Sequence, residues 1–176
     1  MLERCGARGV GIKRPSGLND VNGLIIPGGE STTIGKLIDE YGFAPELKKM
    51  GEAGTPVFGT CAGLIVLARR VKSRHATLLG FVDVTVERNA FGRQVDSFER
   101  DIFVGDIDEE EKPFRAVFIR APVIEEAGPE VEVLASIDEG IVMARQGMFL
   151  VGAFHPELTG DDRIHRLFVD MVRQAG

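Results

Sequence analysis

The stretch TPVFGTCAGLIVLARRV, Thr55 to Val71, decides the fold. Its opening, TPVFG, reads as a short buried strand, and AGLIVLARRV reads as the helix that follows. A cysteine usually serves as a small hydrophobe inside one element. Cys61 instead stands at the join between two, within Gly59-Thr60-Cys61-Ala62-Gly63. That arrangement is the thiol counterpart of the Gly-x-Ser-x-Gly turn, in which a tight strand-to-helix corner lifts a nucleophile clear of the sheet. Small neighbours suit so crowded a corner, and the amides that open the next helix favour a thiolate. Taken alone, the pattern also fits a buried structural cysteine.

Outward from this unit, the first half of the chain alternates strands with helices. GVGIK (Gly9 to Lys13) reads as a strand, PSGLND as a turn-rich loop, and NGLIIP (Asn22 to Pro27) as a buried strand. STTIGKLIDEYG follows as a helix capped by its serine or threonine, with Ile34, Leu37 and Ile38 at helical spacing and Gly42 at its end. FAPELKKMGEAG is a second short helix with Pro45 near its first turn. The second half is richer in strands: FVDVTVE, SFERDIFVGDI, FRAVFIRAP, VEVLASI, GIVMARQ and MFLVGAF, split by turn signals such as DEG and QG. DDRIHRLFVDMVRQ closes the chain as a helix with Ile164, Leu167, Phe168, Met171 and Val172 on one face. The expected fold is α/β: three layers, a mostly parallel central sheet between helices, and additional antiparallel strands in the second half, as in flavodoxin-like proteins.

Two more motifs fall at strand ends. PGGEST (Pro27 to Thr32) lies between a buried strand and a helix, where paired glycines can turn backbone N–H groups outward toward developing negative charge. It is no Walker loop, because the Gly-Lys-Ser/Thr ending is missing. Alone, it could be a glycine turn that only enters a helix. In FLVGAFHPE (Phe149 to Glu157), Pro156 stops an apolar strand and holds His155 extended. Residues i and i+2 of an extended chain point the same way, so Glu157 can reach the imidazole and fix its tautomer. An incidental surface loop is the competing reading. The other histidines read as uninvolved: His165 off the apolar face of the last helix and solvated, His75 in a polar connection. Open α/β sheets build their sites at the carboxyl ends of strands, and the three motifs together supply a nucleophile, an oxyanion hole, a base and an orienting acid.

Composition narrows the class. The 176 residues suit one domain, and a net charge of −6 with no basic run speaks against nucleic-acid binding. No stretch is apolar enough for a membrane span, and no signal-peptide core opens the chain. Two cysteines do not make a disulfide framework, which points to a reducing cytoplasm. No motif with metal-ligand spacing occurs. DIDEEEK (Asp106 to Lys112) reads as a solvated surface loop.

GTCAG with HPE resembles the class I (triad) glutamine amidotransferases. LIIPGGESTTI, FGTCAGLIVLA, ERNAFGRQVDSFE and FIRAP resemble a narrower branch, the glutaminase subunits of pyridoxal 5′-phosphate synthase. The resemblance implies that Cys61 is the nucleophile, His155 the general acid/base and Glu157 its partner. It implies an oxyanion hole from the backbone of Gly28 and Gly29 with the amide of Ala62. Gly28, Gly29, Glu30, Arg88, Ile119 and Arg120 match positions that hold L-glutamine. The implied reaction hydrolyses glutamine through a thioester and passes ammonia to a separate (β/α)8-barrel synthase subunit in a hetero-oligomer. Pyridoxal phosphate is then the product of that complex, and this chain needs no cofactor or metal. The family also begins with a strand and a helix that this sequence lacks, MLERCG resembling the end of that helix. The expectation is therefore a single amidotransferase domain over 1–176, without the first strand and most of the first helix, and with an exposed sheet edge.

Other readings remain open on the residues. They are a class I glutaminase of another pathway, a Cys-His hydrolase of γ-glutamyl or peptide bonds, and a silent binding subunit or redox-sensing thiol protein.

Overall fold

The computed structural model describes residues 1–72, 77–92, 97–107 and 112–176. Strand β1 (Leu24–Ile26) leads into helix α1 (Ser31–Glu40), and helix α2 (Phe43–Glu52) leads into strand β2 (Val57–Thr60). All four residues of β2 are buried, as an unbroken apolar run requires of a strand covered on both faces. Helix α3 (Ala62–Leu67) follows Cys61 directly and is buried throughout.

Strands β3 (Ala68–Val71), β4 (Val82–Glu87), β7 (Val123–Ala127), β8 (Glu132–Ile137), β9 (Gly140–Gln146) and β10 (Phe149–Gly152) complete the main sheet. Its order is β1-β2-β10-β9-β7-β4-β3, with β8 paired to β9. The sheet is mixed. β1, β2 and β10 run parallel, as do β3 and β4, and the remaining pairings are antiparallel. A second sheet pairs β5 (Ser97–Ile102) with β6 (Phe114–Ile119). Phe98 and Phe118 stack between its two strands at 4.7 Å, and Phe118 meets Phe154 edge-on at 5.8 Å, which fastens this small sheet to the end of β10. Helix α4 (Arg163–Ala175) closes the chain, and its Phe168 packs on Phe58 of β2 at 5.7 Å.

Several elements differ from the sequence reading. Gly9 to Lys13 forms no strand, and Val10 is 50% exposed. Alternation supplies propensity there, but no described strand pairs with it. PSGLND is a 3-10 helix (Pro15–Asp20) rather than an open loop. The helix after Cys61 stops at Leu67, because Ala68 turns extended (φ −64°, ψ 153°) and β3 pairs with β4. Strand β7 was not expected from VIEEA, whose glutamates face solvent while Val123 and Ile124 are buried. His75 lies outside the described residues, as do Asp108 to Glu111 of the acidic loop and Arg93 to Asp96 of ERNAFGRQVDSFE.

Candidate active site

The parallel trio β1-β2-β10 brings the three motifs together. Ile26 pairs with Gly59, and Thr60 pairs with Gly152, so PGGEST, Cys61 and the approach to His155 emerge side by side at the carboxyl ends of adjacent strands. The Cys61 amide donates to Gly152 O at 2.8 Å, tying the corner of β2 to the end of β10. The small sheet joins at the same point. Val117 O accepts from the His155 amide at 2.8 Å, and Ile119 O lies 3.9 Å from the Cys61 sulfur.

The glycines of GTCAG answer a packing demand. A Cβ on Gly59 would lie 2.6 Å from the Gly63 carbonyl carbon, and one on Gly63 would lie 2.0 Å from Ile26 O. Helix α3 therefore starts hard against both β1 and β2, and only glycine fits at either position. Between them Cys61 sits at φ 50°, ψ −103°, a left-handed conformation that costs a non-glycine residue on the order of 1–3 kcal/mol. The strain places the thiol at the opening of α3, at the corner anticipated for a nucleophile. Both cysteines are free.

His155 lies over Gly28. A Cβ there would come within 2.3 Å of the imidazole Cε1, so the first glycine of PGGEST makes room for the ring. Glu157 Oε1 meets His155 Nδ1 at 2.8 Å. The reach is achieved differently from the extended chain expected. Pro156–Leu158 is one turn of 3-10 helix, and the turn curls Glu157 back under the ring. The Cys61 side chain, followed by Glu157, pushes the His155 pKa up to about 10 against the opposing effect of burial. The sulfur and the carboxylate thus both favour the protonated ring. Burial drives the Glu157 carboxyl upward, but the hydrogen bond from His155, a backbone hydrogen bond and the nearby imidazoles together outweigh it and leave the pKa lowered.

The remaining candidate residues surround this centre. Glu30 is the N-cap of α1, a place expected for Ser31 or Thr32. Its carboxylate accepts from Thr32 N at 2.9 Å, Thr33 N at 2.7 Å and the Thr33 hydroxyl at 2.7 Å. The Thr33 hydroxyl first, then the two amides, hold its pKa down to about 2. Arg88, just beyond β4, places Nη2 3.6 Å from Glu30 Oε1. Arg120 follows Ile119 at φ 43° with an exposed side chain. Gly29 enters α1 at φ 154°, and Ala62 opens α3. The capping threonines went unnoticed as site residues. The signal was present, because two threonines after a glutamate at a helix start offer the amides and hydroxyl that a carboxylate needs.

A mixed α/β sheet whose parallel strands bring a strained cysteine, a histidine and a glutamate together at their carboxyl ends has the arrangement of the triad amidotransferase class. The comparisons narrow this. Residues 1–174 match the model of the SNO glutamine amidotransferase family. A relative in Pelotomaculum thermopropionicum, named pyridoxal 5′-phosphate synthase subunit PdxT, is 57% identical over 176 residues, covering 100% of this chain and 89% of that one. One of the same name in Bacillus velezensis is 53% identical over 173 residues, covering 98% and 87%. A crystal structure described as a glutamine amidotransferase superposes with a TM-score of 0.91 at 46% identity, covering 98% of this chain and 90% of that one. This chain belongs to the SNO glutamine amidotransferase family, and its activity is that of a glutaminase.

Proposed function

We propose that this chain hydrolyses L-glutamine to L-glutamate and ammonia through a thioester on Cys61, as the glutaminase subunit of a pyridoxal 5′-phosphate synthase. The sulfur attacks the side-chain amide carbon, and negative charge develops on its oxygen. The amides of Gly28, Gly29 and Ala62 donate to that oxygen, and loss of one such donor typically costs ~2.7–4 kcal/mol in the barrier. His155 gives its proton to the departing nitrogen, which leaves as ammonia. It then takes a proton from water as the water attacks the thioester, and glutamate departs. Glu157 orients the ring and stabilises its charged form. Glu30, Arg88, Ile119 and Arg120 hold the amino-acid end of the substrate, an arginine fork suiting its α-carboxylate.

The observation that carries this reading is the convergence of Cys61, His155 and Gly28 at the ends of three adjacent strands. Ammonia set free in neutral water is mostly protonated and no longer nucleophilic, so the product requires direct delivery to an acceptor site. The synthase partner is a separate (β/α)8-barrel subunit, and the relatives' names, which call them subunits, support such an assembly. Two free cysteines suit a cytoplasmic setting. Among the described residues no helix is long and apolar enough to cross a membrane. The test is ammonia release from glutamine by the chain and by Cys61→Ala, each with and without the synthase subunit. Release that requires Cys61 and feeds pyridoxal phosphate formation supports the reading, and equal release by both chains overturns it.

A further inference from the structure

Arg88 and Glu30 are oppositely charged neighbours that do not close on each other. Their nearest atoms stand 3.6 Å apart, beyond hydrogen-bond reach. An arginine and a carboxylate free to approach form a two-pronged contact at 2.7–2.9 Å. The Arg88 side chain is only 27% exposed, whereas Glu30 is 56% exposed, so the more buried charge is the one left with a loose partner. Burying a cation without a close anion is costly, and a ligand carboxylate would relieve that cost.

The restraint on Glu30 is visible. Both of its oxygens are engaged by the start of α1, and Thr33 contributes two of the three bonds, from its amide and its hydroxyl to Oε2 at 2.7 Å each. Glutamate is an unusual N-cap, since shorter side chains reach these amides more readily. Its extra methylene lets one carboxylate cap the helix and still border Arg88.

We propose that Thr33 is a positioning residue for substrate binding, its hydroxyl holding the Glu30 carboxylate on the α1 terminus so that Arg88 stays open to the α-carboxylate of glutamine. Without the hydroxyl, Glu30 swings onto Arg88, and substrate must displace an internal salt bridge. This rests on the glutaminase reading.

The experiment compares the parent, Thr33→Val and Thr33→Ser in the complete synthase complex, by glutamine-dependent ammonia release and by thermal unfolding of each chain. Thr33→Val raises KM for glutamine about five- to tenfold while kcat moves less than twofold, and Thr33→Ser restores the parent KM. Calorimetric binding of glutamine in a Cys61→Ala background gives the same contrast without turnover. A lowered melting temperature with unchanged KM in Thr33→Val makes the hydroxyl a helix cap alone and overturns the proposal. So does a KM that Thr33→Ser fails to restore. A parent that neither releases ammonia nor binds glutamine overturns the glutaminase reading itself.

Discussion

Two imidazoles ten residues apart face opposite electrical surroundings. His155 has a sulfur on one side and a carboxylate on the other, and its pKa is driven up to about 10. His165, in the first turn of α4, is 5% exposed, and its Nδ1 has no hydrogen-bond partner among the described residues. Burial, then the N-terminal ammonium, pulls its pKa down, and Glu157 and Asp162 oppose them without prevailing. The surroundings favour the charged form of one ring and disfavour that of the other. Residue type is the same, so the difference lies in what folding places around each ring.

The contrast also corrects the expectation that His165 is solvated. A single apolar stripe was read on α4, but the helix is covered on a second flank by the N-terminal 3-10 turn (Leu2–Cys5). Arg173 donates to Cys5 O at 3.0 Å across that contact. The buried set therefore includes His165 and Val169 beside Ile164, Phe168 and Met171.

The sharpest way to break the contrast is to remove each ring in turn. His155→Ala lowers glutamine-dependent ammonia release by about three to four orders of magnitude, while His165→Leu stays within about threefold of the parent. Comparable losses from both would erase the distinction. Gly28→Ala comes next. Its methyl would overlap the His155 ring at 2.3 Å, so activity falls about a hundredfold with little change in fold, as circular dichroism and kcat would report. Glu157→Gln is milder, about ten- to a hundredfold in kcat. Because Glu157 is the second support of the raised His155 pKa, the alkaline limb of the rate profile also moves to lower pH.

The smallest effects are on stability, and they carry opposite signs. The folded pKa of His155 lies above its unfolded value, so its contribution is full below about pH 6.5 and is lost as pH rises toward 10. His165 is depressed in the folded state. Its unfolded form takes up a proton below about pH 6.5 that the folded form refuses, so stability falls as pH drops below that value. Urea midpoints across pH 5 to 9 should show His165→Leu flattening the acid side alone. The same variant removes an unpartnered buried nitrogen and raises the melting temperature by about 2–4 °C.

What could be read without coordinates was local. The corner at Cys61, the glycine turn at PGGEST and the stop at His155-Pro156 each declare themselves through residues that only certain backbone shapes tolerate. Where local preference was not decisive, the reading slipped. Ala68 to Val71 carries no breaker after Leu67, yet cross-strand bonds such as Arg70 Nε to Thr85 Oγ1 at 2.9 Å belong to a sheet. VIEEA looks polar because its outer residues meet solvent, and GVGIK looks like a strand because alternation is all a sequence displays of one.

By itself, then, the amino-acid order determined which side chains are offered for the proposed chemistry and which turns present them, because turn geometry is decided by neighbours along the chain. The tertiary structure decided that Thr60 lies beside Gly152, that Gly28 lies under His155, and that one histidine's pKa is raised while the other's is lowered. Those outcomes depend on distance and burial in space, which strand pairing and helix packing set between residues far apart in the chain.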